Sequence, residues 1–247
     1  VLQNGRAEMN DFFALITNPY VVGEYSHALF SGISTTGMLI LAVAAWKYVH
    51  DAKSRAAFAT VLKAGAIYLA IGVLGVMGSG HMHTQYLAQA NPMKLASMEA
   101  LWENADPAPF AAMAVINQAE NKNDFEIKIP ALFSLMLYNK PEGEVKGINT
   151  LNAELVAKYG NGDYRPDVFG MFWSFRIMVA CGGAMLFIAF AVAALSYLNR
   201  LEQYTCLLKF LPLALPLPFL ANTAGWFVAE GGRQPWIVVG LQKTAAA

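Results

Sequence analysis

Side chains able to do redox or proton chemistry gather in a few short runs of this sequence. EYSHALFSG places His27 beside the small residues Ala28, Ser31, Gly32 and Thr35, and FRIMVACG carries Arg176 and Met178. An imidazole and a thioether form one of the standard axial pairs for a low-spin haem iron, and a Met ligand raises the reduction potential. Small residues at helical spacing around His27 would let a flat porphyrin approach the backbone, although close helix packing uses the same pattern. The plainer alternative is a hydrogen-bonded His and a packing Met, one of 11 methionines. Arg176 precedes Met178 by two residues, about 200° around a helix, so it points away from the face that bears the thioether. Its guanidinium requires an anion, and either a haem propionate or a carboxylate on a neighbouring helix would serve.

The run GWFVAEGGRQPW puts Trp226 and Glu230 four residues apart on one helical face. Gly231 and Gly232 then stop the helix before Arg233. Glu230 could ligate iron, carry protons or pair with Arg233, and electrostatics alone favours the ion pair. NPMKLASMEALWE reads from Pro92 to Glu103 as a short amphipathic helix, with Leu95, Met98 and Trp102 on one face and Lys94 and Glu99 off that stripe. His81 and His83 make an H-x-H pair, but no third ligand accompanies them, so metal binding is not expected there.

These groups need elements to hold them, and composition says what kind. Only 14% of the 247 residues are charged, against roughly 25% in an average soluble protein, while 56% are hydrophobic. Disorder is excluded, an ordinary soluble enzyme is disfavoured, and a net charge of zero gives no footprint for nucleic acid. A mean hydropathy of +0.40 suggests apolar spans diluted by a polar segment. A bilayer crossing takes about 20 mostly apolar residues as a helix. Glu24–Val49, Ala56–Ser79, Gly170–Leu198 and Leu207–Ala229 qualify, the last with a kink expected at Pro212, Pro216 and Pro218.

The expected fold is therefore all-α, a polytopic membrane bundle of four transmembrane helices with a long extracytoplasmic loop between the second and third. Lys47, Lys53, Arg55, Arg200 and Lys209 place the two short connections in the cytoplasm. Lys63 is close enough to the inner end of span two to snorkel. The chain divides into 1–79 (an interfacial segment and spans one and two), 80–169 (the outer loop) and 170–247 (spans three and four with the tail). Glu8–Val22 is expected to lie as a short helix on the outer interface, and Trp173 and Trp236 are candidates for the aromatic belt. The depth of His27 in span one matches that of Met178 in span three, and these two spans are expected to be antiparallel neighbours. Cys181 and Cys206 fall near opposite membrane faces, so no disulfide is expected. The chain starts at Val1 with no leader, and an internal piece of a longer polypeptide is expected.

Taken together, EYSHALFSG, KLASMEALWE, FRIMVACG and GWFVAEGGRQPW, in this order on the chain's helices and loop, resemble subunit I of the cytochrome bd quinol oxidases over nearly the whole sequence. The resemblance implies that His27 and Met178 ligate the low-spin haem b and that Arg176 supports it electrostatically. Lys94 and Glu99 would belong to the quinol-oxidising site. Glu230 would ligate one high-spin haem of the oxygen-reducing centre, with Trp226 on the inter-haem electron path and Arg233 serving a propionate. The high-spin haem b and haem d would be shared with the remaining part of the subunit, or a separate chain supplying it. A second oxidase subunit and small accessory subunits would complete a complex in the prokaryotic inner membrane. Two alternatives remain open at this stage: a related quinol-oxidising module with a non-oxygen acceptor, and a cofactor-free membrane assembly or transport subunit.

Overall fold

The computed structural model describes residues 11–246 together with residues 2, 3, 6, 7 and 9. Among the described residues, four helical segments are long and apolar enough to cross a membrane: Pro19–His50, Arg55–Ala90, Val168–Tyr197 and Leu201–Gly231. Chain order gives α1 (Phe12–Ile16), α2 (Pro19–His50), α3 (Arg55–Ala90), α4 (Pro92–Met98), α5 (Leu132–Tyr138), α6 (Ile148–Tyr159), α7 (Val168–Tyr197), α8 (Thr205–Phe210) and α9 (Pro216–Gly231). The fourth segment is broken where expected, with a 3-10 turn at Leu211–Ala214 between α8 and α9. Proline supplies no amide hydrogen there, so the α-helical ladder cannot run through.

Helix α2 starts with Asn18 accepting from the Tyr20 amide and Pro19 in the first turn, a strong start signal. That cap also breaks the expected interfacial helix. Phe12–Ile16 forms a separate short helix with Phe12 and Phe13 exposed, and residues from Pro19 onward already belong to α2. Glu8 and Asn10 lie outside the described residues. At its other end α3 runs on to Ala90, so the first part of the expected loop, with His81 and His83, is helical. With 36 residues α3 is about 54 Å long, well beyond a hydrocarbon core of about 30 Å.

Helices α2 and α3 form an antiparallel pair built on small residues. Gly37 meets Leu69, Gly65 meets Ile40, Gly72 meets Ser34, Gly75 meets Phe30 and Gly80 meets His27 along the contact line. A Cβ at Gly72 would stand 2.7 Å from the Ser34 nitrogen, whereas nothing lies within 4 Å of one at Gly78. Gly72→Val is therefore expected to pry the pair apart, at a cost of about 1–3 kcal/mol, and to lower the thermal unfolding midpoint in detergent. Gly78→Ala is the matched control and should leave the midpoint unchanged or raised.

Helix α7 is antiparallel to α3, since Lys63 near the start of α3 sits 3.9 Å over the Tyr197 ring at the end of α7. It follows that α2 and α7 run in the same direction. In the ring of contacts α2 packs on α3, α3 on α7, α7 on α9 and α9 on α2, which leaves α2 and α7 at opposite corners. The expectation of antiparallel neighbours for His27 and Met178 is thus corrected to parallel diagonal helices. In an up-down-up-down bundle alternate helices are necessarily parallel and cannot be adjacent.

A core of Met38, Leu41, Leu62, Leu69, Met185 and Ala189 fills the half of the bundle nearer the short connections. At the loop end a second core joins Met93, Ala96 and Trp102 to Ile148 and Phe172. Between them the loop half of α2, residues 19–33, contributes no buried residue. The loop itself adds an antiparallel hairpin, Phe110–Asn117 with Lys122–Ile129, to the all-α expectation. Trp236 is not an interfacial belt residue. It is 8% exposed and stacks on Tyr164 at 5.7 Å, with Tyr159 edge-on.

Candidate functional site

His27 lies on α2 one turn on the loop side of Ser31, and its Nδ1 is 3.2 Å from the Ser79 hydroxyl of α3. That contact orients the ring, and among the described residues no side chain is hydrogen-bonded to Nε2, the arrangement expected of a metal-ligating imidazole. Ser31 donates to the Asn222 side-chain oxygen on α9, and the Asn222 amide donates to Thr35 at 3.3 Å. One turn further toward the loop on α9 stands Gly225, where a Cβ would come within 3.1 Å of the Met178 sulfur. His27 and Met178 therefore lie at one level, just above the same polar cross-link. The level matches the depth expected from sequence, and the glycine gives the thioether its room.

The donor set fits a haem between these helices. A thioether and an imidazole stand on opposite corners of the bundle, the imidazole held by Ser79 of α3 and the thioether beside Gly225 of α9, at a level where α2 buries none of its residues. Diagonal corners leave more space for a macrocycle than neighbouring helices packed at 8–10 Å would.

On the other side of α7, Arg176 turns away from Met178 as its spacing requires. Its Nε donates to the Ala111 carbonyl at 3.0 Å, one terminal nitrogen bonds the Met98 carbonyl, and the other reaches the Glu99 carboxylate at 2.7 Å. The guanidinium also lies 3.8 Å over the Phe172 ring. Of the two anions considered for it, the structure places a carboxylate there, but one from the loop rather than from a neighbouring helix. Glu99 is 4% exposed. Burial pushes its carboxyl up to about 7, opposed by the charge and hydrogen bond of Arg176.

The segment that holds Lys94 and Glu99 is not an amphipathic surface helix. It ends at Met98, and every residue from Met93 to Ala100 is buried, because the hairpin, α6 and the bundle end close around it. Ala100 turns the chain with φ of 46°, so Trp102 leaves the helix and bonds Asn123 through its indole nitrogen at 2.9 Å. Lys94 and Glu99 point to different sides. The Lys94 stem crosses Gly232 beyond α9, at 2.7 Å from a Cβ placed there, while Glu99 faces α7. No bond joins them. Burial lowers the Lys94 ammonium from the ordinary lysine range, with Glu24 acting against that and Arg233 with it.

Glu230 pairs with Arg233 one turn on, both about half-exposed. Trp226 is 66% exposed, and Phe219, Asn222 and Trp226 share its open face of α9. His81 is occupied by Asn139 and Gln85, at 3.3 and 3.1 Å. Both cysteines are free, on α7 and α8. Sequence reasoning passed over Ser79, Asn222 and Gly225. The polar residues within apolar spans, Ser31, Thr35 and Asn222, were the available signal, since such groups seldom face lipid without a partner.

The comparisons with known proteins agree with the motif resemblance. A family model described as cytochrome bd terminal oxidase subunit I matches residues 1–247. The chain is 43% identical over 245 residues to cytochrome bd ubiquinol oxidase subunit 1 of Bacillus subtilis, covering 99% of this chain and 52% of that protein. It is 28% identical over 299 residues to cytochrome bd-II ubiquinol oxidase subunit 1 of Escherichia coli, covering 98% of this chain and 58% of that one. Among solved structures it is similar to the bd oxidase from Geobacillus thermodenitrificans, with a TM-score of 0.79 and 26% identity, covering 99% of this chain and 54% of that chain. The chain thus spans about half the length of the relatives it matches.

Proposed function

The chain belongs to the cytochrome bd terminal oxidase subunit I family, and from that premise we propose that it forms the electron-entry part of a quinol:oxygen oxidoreductase in the prokaryotic inner membrane. The observation that carries this reading is the placement of His27 and Met178 at one level on diagonal helices, with the imidazole held through Nδ1 by Ser79. These two residues hold a low-spin haem b, which when bound supplies a one-electron carrier between quinol and the oxygen-reducing centre. Ser79 fixes the imidazole, and Gly225 leaves space for the thioether.

Lys94 and Glu99 serve quinol oxidation in different ways. Lys94 presents an ammonium on a buried stem, a donor suited to a quinol oxygen. Glu99 acts through Arg176, tying the loop to α7 so that the lysine keeps its place. The exposed face of α9 is covered in the complete enzyme by the remaining part of the subunit, or by a separate chain supplying it. There Glu230 ligates a high-spin haem, Trp226 lies on the electron path, and Arg233 serves a propionate. A second oxidase subunit and small accessory subunits complete the assembly, with a high-spin haem b and a haem d at the oxygen side.

The test is quinol-driven haem reduction in the purified complex. Lys94→Ala is expected to slow quinol oxidation at least tenfold, with haem content and spectrum intact. Loss of all haem in that variant would mean that Lys94 is structural and the loop is no quinol site. A complex with no haem absorbance would support the cofactor-free alternative. Haem reduction by quinol without oxygen consumption would support a different final acceptor.

A further inference from the structure

Among the described residues one buried side-chain polar atom has no hydrogen-bond partner, the Nε2 of His83. Such groups are uncommon in native proteins because a lost hydrogen bond in a dry site costs free energy, so each asks for a ligand or a function. His83 lies on the part of α3 that continues past the apolar span, and its ring meets Tyr20 of α2 edge-on at 5.4 Å. Tyr20 in turn packs 5.9 Å from Tyr86. Tyr20 gives the imidazole an aromatic wall, with Tyr86 packed behind it.

Lys94 faces the same region. It is 5% exposed, and among the described residues its ammonium makes no hydrogen bond or ion pair. Lys94 and His83 are near enough to act on each other electrostatically, and Glu24 acts on both. Arg233 acts on Lys94 and His27 on His83, and Tyr20 packs directly on the imidazole. A donor-only ammonium on a buried stem and an unpaired ring nitrogen within electrostatic reach of it, the latter against the Tyr20 ring, match a ligand with a hydroxyl on a flat apolar ring. The hydroxyl hydrogen goes to the imidazole, and the oxygen lone pair accepts from the ammonium.

We propose that His83 is a further quinol-binding residue, its Nε2 accepting a hydrogen bond from the quinol hydroxyl whose oxygen Lys94 also contacts. This rests on the quinol-oxidation reading above and adds to it a residue on α3. The site is then formed by α3 and α4, with α2 supplying its wall.

The experiment uses the haem-loaded complex, assayed with a short-chain ubiquinol and a short-chain menaquinol. His83→Phe keeps a ring against Tyr20 but removes the nitrogen. It is expected to raise KM about tenfold, the loss of about one hydrogen bond, with kcat little changed and the reduced-minus-oxidised haem spectrum unaltered. His83→Gln, which retains a polar group able to accept, should restore KM to near the parent value. An unchanged KM in His83→Phe overturns the proposal. So does a shifted haem band or midpoint potential with KM unaffected, which would assign Nε2 to a haem carboxylate instead. Loss of haem in both variants also overturns it, by making His83 structural. If the unmodified complex fails to oxidise either quinol, the broader functional reading falls with it, and that outcome is visible before any variant is made.

Discussion

Replacing Met178 with Leu is expected to abolish the low-spin haem band in the reduced-minus-oxidised spectrum of the complex. Leu and Met have similar volume, so the exchange costs less than about 1.5 kcal/mol of packing, and α7 keeps its contacts with α3 and α9. What is lost is the sulfur lone pair, and with it one axial ligand of the proposed pair. A Met ligand also raises the potential of a His-ligated haem, so any haem retained on His27 alone should be high-spin and harder to reduce. An unchanged spectrum in a well-folded variant would contradict the assignment of Met178. The local geometry makes the test clean: the sulfur sits against Gly225, where no side chain competes for the space.

The second large effect concerns the clamp between the loop and α7. Arg176→Leu removes the donors for the Met98 and Ala111 carbonyls and leaves Glu99 buried without its cation. Breaking one side of a buried ion pair typically costs about 3–5 kcal/mol. The expected result is a lower unfolding midpoint and faster proteolytic cleavage within residues 91–167. The double variant Arg176→Leu with Glu99→Leu should recover part of the loss, because no stranded charge then remains. Equal destabilisation by the single and the double change would show that the carboxylate contributes nothing to the clamp.

The clamp also carries a pH signature whose sign follows from the direction of the shift. Burial raises the folded-state pKa of Glu99 from 4.5 to about 7 even with Arg176 present. Between those values the unfolded chain has lost the proton while the folded chain still holds it. Stability from this group is therefore fully present below pH 4.5, declines as pH rises toward about 7 and is level above that. Glu99→Gln removes that slope while keeping an acceptor for Arg176, which separates the titration from the hydrogen bond.

Much of the molecule was legible before any coordinates. The four crossings were visible because a transmembrane helix satisfies its own backbone polar groups within one continuous segment, so length and hydropathy suffice. The break at Pro212 and Pro216 was visible for the same local reason. The divergence of Arg176 from Met178 needed only the pitch of a helix. His27 and Met178 could be set at one depth by counting residues from the span ends, and the Ser31–Asn222 bond supports that count.

The short segment Pro92–Glu103 was misread because its periodicity describes only one face, while its burial on every side depends on the hairpin and α6 folding over it. The direction and adjacency of α2 and α7 were likewise misjudged, since adjacency is a property of four helices taken together.

Sequence by itself thus determined the number of crossings, their lengths, their breaks and the side chains that could do redox chemistry. These follow from interactions within a few turns of one helix. Only the tertiary structure decided that Arg176 holds Glu99, that His27 and Met178 stand at diagonal corners, and that His83 is left with an unpaired nitrogen. Arg176 and Glu99 are separated by 77 positions, as such partners commonly are by many turns of chain. Which of several chemically suitable groups meet is set by how whole faces pack, a sum over many weak contacts that no local pattern records.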